Sequence, residues 1–328
     1  MPEETYDALF TSDFPQWIKA EVARQDELTA INRTATTAKG TVEYALLGEG
    51  PVLLGIHGGP GGYDQSLMLF DWLTRYGFSV LAPSRPGYLG TPLSSGKTPG
   101  EQADMFVALL DTLGIEKVAV IFGSAGGASG YEFAIRYPDR VTALVAADAV
   151  VSQYLMPANA NAITEAIFLS GPGEQLISFF STRFPKKILH EFIQQESMLR
   201  PEQIDKQVEA ALQDPDQMRF FFRLVRSMSD YPKRKAGVDN DMKQFATLPD
   251  LPVDRIQCPA LIIHGTHDSD VLFYHGVYAR KNIPHAEELW VREGSHFCGW
   301  ISPQVHDIQE RIIKFLQLHR RGDVMHII

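Results

Sequence analysis

The stretch that decides the fold reads Val118-Ala119-Val120-Ile121-Phe122-Gly123-Ser124-Ala125-Gly126-Gly127. Its first five residues are all apolar, a pattern typical of a parallel strand buried on both faces. A helical pattern over Ala125–Tyr137 follows at once, and Pro138 ends it. Ser124 therefore lies at a sharp strand-to-helix turn. Small neighbours suit such a turn because its backbone is crowded, and the turn exposes the serine hydroxyl.

This turn departs at one position from the glycine-x-serine-x-glycine pattern of nucleophilic serines. Phe122 stands two residues before the serine, and a glycine comes one place later, at Gly123. We expect Phe122 to affect how closely neighbouring elements approach the turn. The hydroxyl and the glycines after it are unaffected. Taken alone, the stretch also fits a glycine-rich turn that only packs or binds phosphate.

Further strands and helices extend in both directions from this turn. Residues 29–48 alternate in polarity around Gly40, which predicts a β-hairpin. A helix is predicted from Thr98, with Pro99 at its first position and Glu101 completing a capping box. Apolar runs that predict further parallel strands occupy Val52–Ile56, Phe78–Ala82, Val141–Ala147, Ala260–His264 and Leu289–Val291. Strands that alternate with helices predict an α/β fold with a mostly parallel sheet flanked by helices.

The pattern changes between about Val150 and Asp254. Strand-like runs disappear there, and prolines and glycines break the sequence into short helical segments. We therefore predict a core formed by residues 1–150 and 255–328, with residues 151–254 inserted as a helical lid.

A second glycine-rich segment, His57-Gly58-Gly59-Pro60-Gly61-Gly62, follows the strand Val52–Ile56. Glycines allow backbone N–H groups to point inward without a Cβ that shields them. The N–H groups of Gly59 and Ala125 are the candidates for an oxyanion hole. A plain turn is the alternative.

Two further segments supply an acid and a base after the last two strands. Asp268 follows the strand Ala260–His264, and His296 follows the next strand. A carboxylate so placed can hold a histidine in the tautomer that accepts a proton from serine. Asp270 and Asp148 are the alternative acids. The order serine, aspartate, histidine is the order of this triad on open α/β sheets, so Ser124, Asp268 and His296 are the predicted catalytic residues.

With these motifs, the chain resembles the α/β-hydrolase-fold enzymes over nearly its full length. His57–Gly62 resembles the proline iminopeptidase branch. Ser84-Arg85-Pro86-Gly87-Tyr88 resembles a bacterial segment that begins with aspartate in place of Ser84. The resemblance implies that no metal or organic cofactor is needed. The family includes esterases, lactonases, carbon–carbon hydrolases, aminopeptidases, epoxide hydrolases and dehalogenases. The last two place an aspartate where this chain has Ser124, so the serine argues against both.

The leading hypothesis is hydrolysis of a small or medium, mostly apolar ester or related acyl compound, because aromatic residues of the lid would exclude water. An aminopeptidase of the proline iminopeptidase type is the first alternative, and a non-catalytic small-ligand receptor on the same fold is the second. An aminopeptidase needs lid acids to hold an ammonium group. The lid candidates are Glu165, Glu174, Glu191, Glu196, Glu202 and Glu209.

Composition limits the partners. The chain has 328 residues and a net charge of −10, so nucleic acid and anionic membrane surfaces are poor partners, and a small molecule is the expected one. The two cysteines are too few for a disulfide framework. The acidic N-terminus lacks the apolar core of a secretion signal, which predicts a cytoplasmic protein. The sequence does not indicate an oligomeric state.

Overall fold

The computed structural model describes residues 20, 23–24, 26–28, 30–154, 184–227, 230–320 and 324–325. Residues 155–183 of the predicted lid fall outside this range. Glu165 and Glu174 therefore lie outside the described residues.

A nine-stranded sheet forms the centre of the described structure. The strand order is β1-β2-β4-β3-β5-β6-β7-β8, and β9 pairs with β3. Pairing is parallel from β4 through β8, and antiparallel at β1–β2, β2–β4 and β3–β9. The predicted α/β fold class is thus confirmed. The strands are β1 (Arg33–Thr37), β2 (Gly40–Leu47), β3 (Gly50–Ile56), β4 (Ser79–Pro83), β5 (Val118–Ser124), β6 (Val141–Ala149), β7 (Ala260–Gly265), β8 (Glu287–Val291) and β9 (Val324–Met325).

Helices cover both faces of the sheet. The core helices are α1 (Tyr63–Phe70), α2 (Pro99–Thr112), α3 (Gly126–Arg136), α8 (Tyr274–Asn282) and α9 (Val305–Leu318). Helices α2, α3 and α8 share one apolar layer with the sheet, while α1 and α9 belong to the other. Short 3₁₀ helices occupy Asp71–Tyr76, Leu93–Ser95, Pro138–Arg140, Tyr231–Lys233 and Val253–Arg255. Among the described helices, none has the length and hydropathy needed to cross a membrane.

Helix α2 begins as its sequence predicts. The Thr98 side chain accepts a hydrogen bond from the Glu101 N–H, and the Glu101 carboxylate accepts one from the Thr98 N–H. This reciprocal capping satisfies N–H groups that have no partner inside the helix. Gly114 ends the segment with a φ of 69°, a conformation that favours glycine.

Between β6 and β7 the described residues form four α-helices, two of the short 3₁₀ helices and no named strand. The α-helices are α4 (Pro185–Gln195), α5 (Pro201–Leu212), α6 (Pro215–Ser227) and α7 (Lys235–Phe245). An aromatic cluster of Phe192, Phe220, Phe297 and Trp300 joins them to the core, and Phe220 stacks on Trp300 at 5.7 Å between ring centroids. Most of the described lid aromatics therefore pack the helices onto the sheet domain. The exact lid boundaries, 151 and 254, stay a prediction.

Candidate active site

Ser124 ends β5 in a left-handed conformation, with a φ of 51°. A non-glycine residue rarely adopts positive φ, and such strain concentrates at functional sites. The two glycines that follow allow the turn to form. A Cβ on Gly126 would lie 2.6 Å from the His57 carbonyl oxygen, and one on Gly127 would lie 2.4 Å from the Val150 carbonyl oxygen. Backbone from two neighbouring strand ends therefore closes around the serine turn.

The bulky Phe122 is accommodated by a glycine on the next helix. Its ring is fully buried, and a Cβ on Gly130 would lie only 2.3 Å from it. The ring also contacts Tyr131 edge-on, at 4.9 Å between centroids. Phe122 thus packs into a space that Gly130 leaves open, and Ser124 keeps its position at the turn.

The glycine loop after β3 lies against the serine turn. A Cβ placed on Gly58 would be 3.0 Å from the Ser124 Cβ, and one on Gly59 would be 3.7 Å from the Ala125 Cβ. Within the part of the chain that the structure describes, neither the Gly59 nor the Ala125 N–H has a hydrogen-bond acceptor. The two candidate oxyanion donors therefore lie next to each other with both N–H groups unpaired.

His57, at the start of this loop, is buried, and both of its ring nitrogens bind backbone groups. Its Nε2 accepts the Arg85 N–H at 2.9 Å, so its Nδ1 carries the proton and donates to the Gly58 carbonyl at 2.7 Å. Burial and the neighbouring Arg85 guanidinium hold the pKa of His57 well below its usual value. A neutral imidazole with both nitrogens occupied cannot serve as a general base.

His296 and Asp268 are in direct contact. The His296 Nδ1 lies 2.8 Å from the Asp268 Oδ2, and both side chains are buried. The Asp268 Oδ1 accepts N–H groups from Asp270 and Val271, each at 2.9 Å. Burial opposes ionisation of Asp268, but the imidazoles of His296 and His264 beside it lower its pKa. Asp268 is thus held as a carboxylate that can orient His296.

The other His296 nitrogen faces an acid instead of the serine. Its Nε2 lies 3.3 Å from the Asp270 Oδ2, and no hydrogen bond joins it to Ser124 among the described residues. The Tyr154 hydroxyl donates to the other oxygen of Asp270. Burial disfavours the imidazolium, but Asp268 and Asp270 outweigh it and raise the pKa of His296 well above its usual value.

Asp148, the second alternative acid, is buried and binds groups other than His296. Its Oδ1 accepts the Gly265 N–H at 2.8 Å, and the Cys298 thiol donates to its Oδ2 at 3.3 Å. It makes no hydrogen bond with His296 in the described structure. Burial raises the pKa of Asp148 to about 6. Asp148 therefore connects the end of β7 with the loop that carries His296.

His264 completes this buried group. Its Nε2 lies 2.7 Å from the Val271 carbonyl oxygen and 3.4 Å from the Asp268 Oδ2, which assigns the proton to that nitrogen. Asp148, His264 and Asp268 place one ligand atom each within 4.8 Å of one another, a spacing that a metal ion could use. Hydrogen bonds already occupy Asp148 Oδ1, both oxygens of Asp268 and His264 Nε2. The His264 Nδ1 is buried without a hydrogen-bond partner among the described residues.

Comparison with known proteins identifies the family. The family model for the alpha/beta hydrolase fold matches residues 51–303. The chain belongs to the α/β-hydrolase family. It is 30% identical over 288 residues to the uncharacterized hydrolase YcgS of Bacillus subtilis, covering 87% of this chain and 98% of that protein.

Two further relatives of this α/β-hydrolase extend the comparison. A 2-hydroxy-6-oxononadienedioate/2-hydroxy-6-oxononatrienedioate hydrolase of Burkholderia vietnamiensis is 26% identical over 269 residues, covering 79% of this chain and 85% of that protein. An alpha/beta hydrolase fold protein from Nakamurella multipartita has a solved structure that superposes with a TM-score of 0.83. It is 36% identical, covering 87% of this chain and 99% of that chain.

The sequence analysis gave no role to Glu43 and left Glu196 as one of six lid candidates in this α/β-hydrolase. Glu43 of β2 accepts a hydrogen bond from Ser84 at 3.0 Å and one from the Gly90 N–H at 2.9 Å. It supplies a carboxylate beside Ser84, where similar segments begin with aspartate. Glu43 lies within a strand, and nothing in the sequence around it indicates this role.

The second acid is Glu196, one of six lid glutamates named as candidates. Its carbonyl oxygen accepts the His296 N–H at 3.0 Å. Burial and the Asp270 carboxylate raise the pKa of Glu196 to about 8. Glu191, Glu202 and Glu209 are exposed. Of the four candidates that the structure describes, Glu196 is the one beside His296, the predicted general base.

Asp270→Asn is expected to move the acidic limb of the kcat/KM profile to lower pH. As the predicted general base, His296 accepts a proton from Ser124 only when its imidazole is neutral, so its raised pKa should restrict activity to higher pH. Removing the Asp270 charge lowers that pKa, and kcat/KM at pH 6 should rise. The measurement is kcat/KM on a short aryl ester from pH 5 to pH 9.

Glu49→Gln is the matched control, because it removes the same charge from an exposed residue in the turn before β3, at the opposite end of that strand from the glycine loop. The control profile should superimpose on that of the wild type. An Asp270→Asn profile that also superimposes would show that Asp270 does not set the ionisation of His296.

Proposed function

We propose that this α/β-hydrolase is a serine hydrolase that cleaves a small or medium, mostly apolar ester or related acyl compound. Ser124 is the nucleophile, His296 the general base and Asp268 the acid that orients it. Gly59 and Ala125 supply the oxyanion hole. The observation that carries the proposal is the left-handed Ser124, which lies at a strand-to-helix turn against two unpaired N–H groups.

In the proposed mechanism, Ser124 Oγ attacks the acyl carbon while His296 Nε2 takes the hydroxyl proton. The Gly59 and Ala125 N–H groups stabilise the oxyanion of the tetrahedral intermediate. His296 then gives the proton to the leaving group, which departs and leaves an acyl group on Ser124. A water molecule, deprotonated by His296, releases the acid by the same two steps in reverse order.

His296 has to exchange partners for this chemistry. Its Nε2 faces Asp270 at 3.3 Å, and a productive complex requires it to face the Ser124 hydroxyl. Hydrogen bonds of catalytic groups are often long or poorly aligned without substrate, and they tighten when substrate binds. The 2.8 Å contact between Nδ1 and Asp268 provides a pivot about which the ring can swing.

The surroundings support a compact apolar substrate. Phe297 lies 5.0 Å from the His296 ring, and it contacts Phe192 and Phe220 of the helices α4 and α6. A Cβ on Gly123 would lie 3.9 Å from the Trp300 ring. Aromatic side chains of this kind exclude water from the space around the serine, which favours apolar acyl groups.

An aminopeptidase is the second candidate, and one observation favours it. Asp270 and Glu196 both lie beside His296, where they could hold the ammonium group of a substrate. The partly protonated Glu196 weakens this attraction near neutral pH, so the ester hydrolase remains the main proposal. A small-molecule substrate, no nucleic-acid or membrane partner and a cytoplasmic location stay predictions from the sequence.

The test is a chain-length series of 4-nitrophenyl esters at matched concentration, measured beside a proline amide and a vinylogous diketone of the type that carbon–carbon hydrolases cleave. We expect the highest kcat/KM on acyl chains of about two to eight carbons, because aromatic side chains beside His296 favour compact apolar groups. An emulsified triglyceride serves as the comparison substrate.

The outcomes of this substrate panel distinguish the ester hydrolase from the aminopeptidase and from the ligand receptor. A maximum beyond about ten carbons, or on triglyceride, would contradict the substrate proposal. Turnover of the proline amide without ester turnover would establish the aminopeptidase. Covalent labelling of Ser124 without turnover of any compound would favour a ligand receptor.

A further inference from the structure

Arg85 is a buried cation that contacts the glycine loop at two consecutive carbonyl groups. It is 1% exposed. Its Nε donates to the His57 carbonyl at 3.1 Å, and its Nη2 donates to the Gly58 carbonyl at 3.0 Å. The His57 Nδ1 donates to the same Gly58 carbonyl at 2.7 Å. The Gly58 carbonyl therefore has two donors that fix its direction.

Fixing this carbonyl also fixes a catalytic donor. The Gly58 carbonyl and the Gly59 N–H belong to one planar trans peptide group, in which they point in opposite directions. Because the carbonyl points at Arg85, the Gly59 N–H points away from Arg85. Gly59 itself lies beside Ala125, since a Cβ on Gly59 would be 3.7 Å from the Ala125 Cβ. A rotation of this peptide would aim the carbonyl oxygen at the oxyanion instead, which would repel it.

Arg85 is in turn held by a residue of helix α7, on the inserted segment. The two oxygens of Asp241 accept hydrogen bonds from Arg85 Nη1 at 3.0 Å and Nη2 at 2.7 Å. The Tyr88 hydroxyl donates to Asp241 Oδ2 at 2.6 Å. Asp241 is 2% exposed. A bidentate pair with a third donor fixes the guanidinium in one orientation.

The backbone of helix α7 comes close enough to make this contact rigid. A Cβ on Gly237 would lie 2.3 Å from the Tyr88 ring, and the Gly237 N–H donates to the Gly87 carbonyl at 2.9 Å. The Asp241 carboxylate also approaches the loop itself, since a Cβ on Gly59 would lie 3.9 Å from its Oδ2. Helix α7 is thus joined to the loop through Arg85, and its Asp241 carboxylate lies close to Gly59.

We propose that Asp241 is a positioning residue for the oxyanion hole. Acting through Arg85, it holds the Gly58–Gly59 peptide in the orientation that aims the Gly59 N–H at the oxyanion. The inserted helical segment therefore contributes to transition-state stabilisation. The inference rests on the proposed serine hydrolase function.

The chain offers a matched control for the effect of breaking a buried ion pair. Arg223 of helix α6 pairs with Asp71 of the core at 2.9 Å, and both side chains are nearly buried. This pair also joins the inserted helices to the core, but its acid follows helix α1, nine residues after Gly62 of the glycine loop. Asp241→Asn and Asp71→Asn remove equivalent charges, and only the first acts on the oxyanion donor.

The experiment compares wild type, Asp241→Asn, Tyr88→Phe and Asp71→Asn by three measurements. These are kcat and KM on a short 4-nitrophenyl ester, the rate at which a fluorophosphonate modifies Ser124, and Tm. We expect Asp241→Asn to lower kcat by about 10- to 100-fold with KM changed less than about threefold, since losing an oxyanion donor outright costs about 10² to 10³. The phosphonylation rate should fall by a similar factor, because that adduct also places an oxygen in the hole.

The remaining variants keep the proposal open to refutation. If Asp241→Asn does not fold, Tyr88→Phe removes one hydrogen bond from Asp241 and should still lower kcat by a few fold. Asp71→Asn should lower Tm but leave kcat within about threefold of wild type. Equal kcat losses in Asp241→Asn and Asp71→Asn, or an unchanged phosphonylation rate in a folded Asp241→Asn, would overturn the proposal.

The design separates this inference from the proposed function. Wild type that is neither labelled at Ser124 nor active on any ester would refute the serine hydrolase function and the inference together. Wild type that is labelled normally, with Asp241→Asn labelled equally fast, would refute the positioning role alone.

Discussion

Replacing Ser124 with alanine is expected to lower kcat by at least ~10⁴-fold, the scale of loss when a catalytic triad loses its nucleophile. Alanine removes the oxygen that forms the acyl intermediate but keeps the Cβ that packs against Gly58. The fold should therefore persist, with Tm close to that of wild type. The measurements are kcat on a short aryl ester and the site of modification by a fluorophosphonate.

Ser129→Ala is the matched control for this substitution. Ser129 lies in helix α3, five residues further along the chain, and its hydroxyl donates to the Gly126 carbonyl at 3.3 Å. That hydroxyl is buried and already paired, so its removal should leave the labelling of Ser124 intact. A phosphonate adduct mapped to any residue other than Ser124 would contradict the assignment of the nucleophile.

Asp268→Asn is expected to lower kcat by about 10⁴-fold, as when a triad acid becomes an amide and the histidine takes the wrong tautomer. An asparagine amide group presented to His296 would donate to Nδ1, so the ring proton would move to Nε2. His296 could then no longer accept the proton from Ser124. Kinetics on a short aryl ester at the optimum pH of each variant provide the measurement.

Asp270→Asn and Asp148→Asn are the comparison variants for the acid. Asp270 lies on the opposite nitrogen of the ring, and Asp148 binds the Gly265 N–H and the Cys298 thiol. Asp270→Asn should therefore keep kcat near that of wild type at its own optimum, and Asp148→Asn should act mainly on Tm. Near-normal kcat in Asp268→Asn, together with loss in Asp148→Asn, would transfer the role of the acid to Asp148.

The core of the fold can be predicted from the sequence because its strands and helices are indicated by short, contiguous stretches of residues. Buried parallel strands are apolar on both faces, and β3, β4, β5, β6 and β7 all show this pattern. The start of helix α2 follows from Thr98 and Glu101, which are close in sequence. Strand ends that meet at one sheet edge then bring Ser124 and His296 to the same region, although 172 residues separate them along the chain.

The choice among the acids could not be made from spacing. Asp268 and Asp270 are two residues apart in one loop, and both lie beside His296 in the structure. Which nitrogen each one faces depends on how the loop is turned. The N–H groups of Asp270 and Val271 bind Asp268 Oδ1 and leave its Oδ2 for Nδ1. This detail is decided by hydrogen bonds within the folded loop.

By itself, the sequence determined the α/β class, the strand-to-helix turn at Ser124 and the glycine loop at Gly59, since each depends on residues adjacent in the chain. Only the tertiary structure decided that Gly130 makes room for Phe122, that Glu196 lies beside His296 and that Asp241 binds Arg85. Asp241 is 156 residues from Arg85, and nothing in the neighbouring sequence distinguishes it from Asp239, which is exposed in the structure. Long-range pairs of this kind depend on which faces of an inserted helix meet the core, and that is fixed by packing between segments rather than by either segment alone.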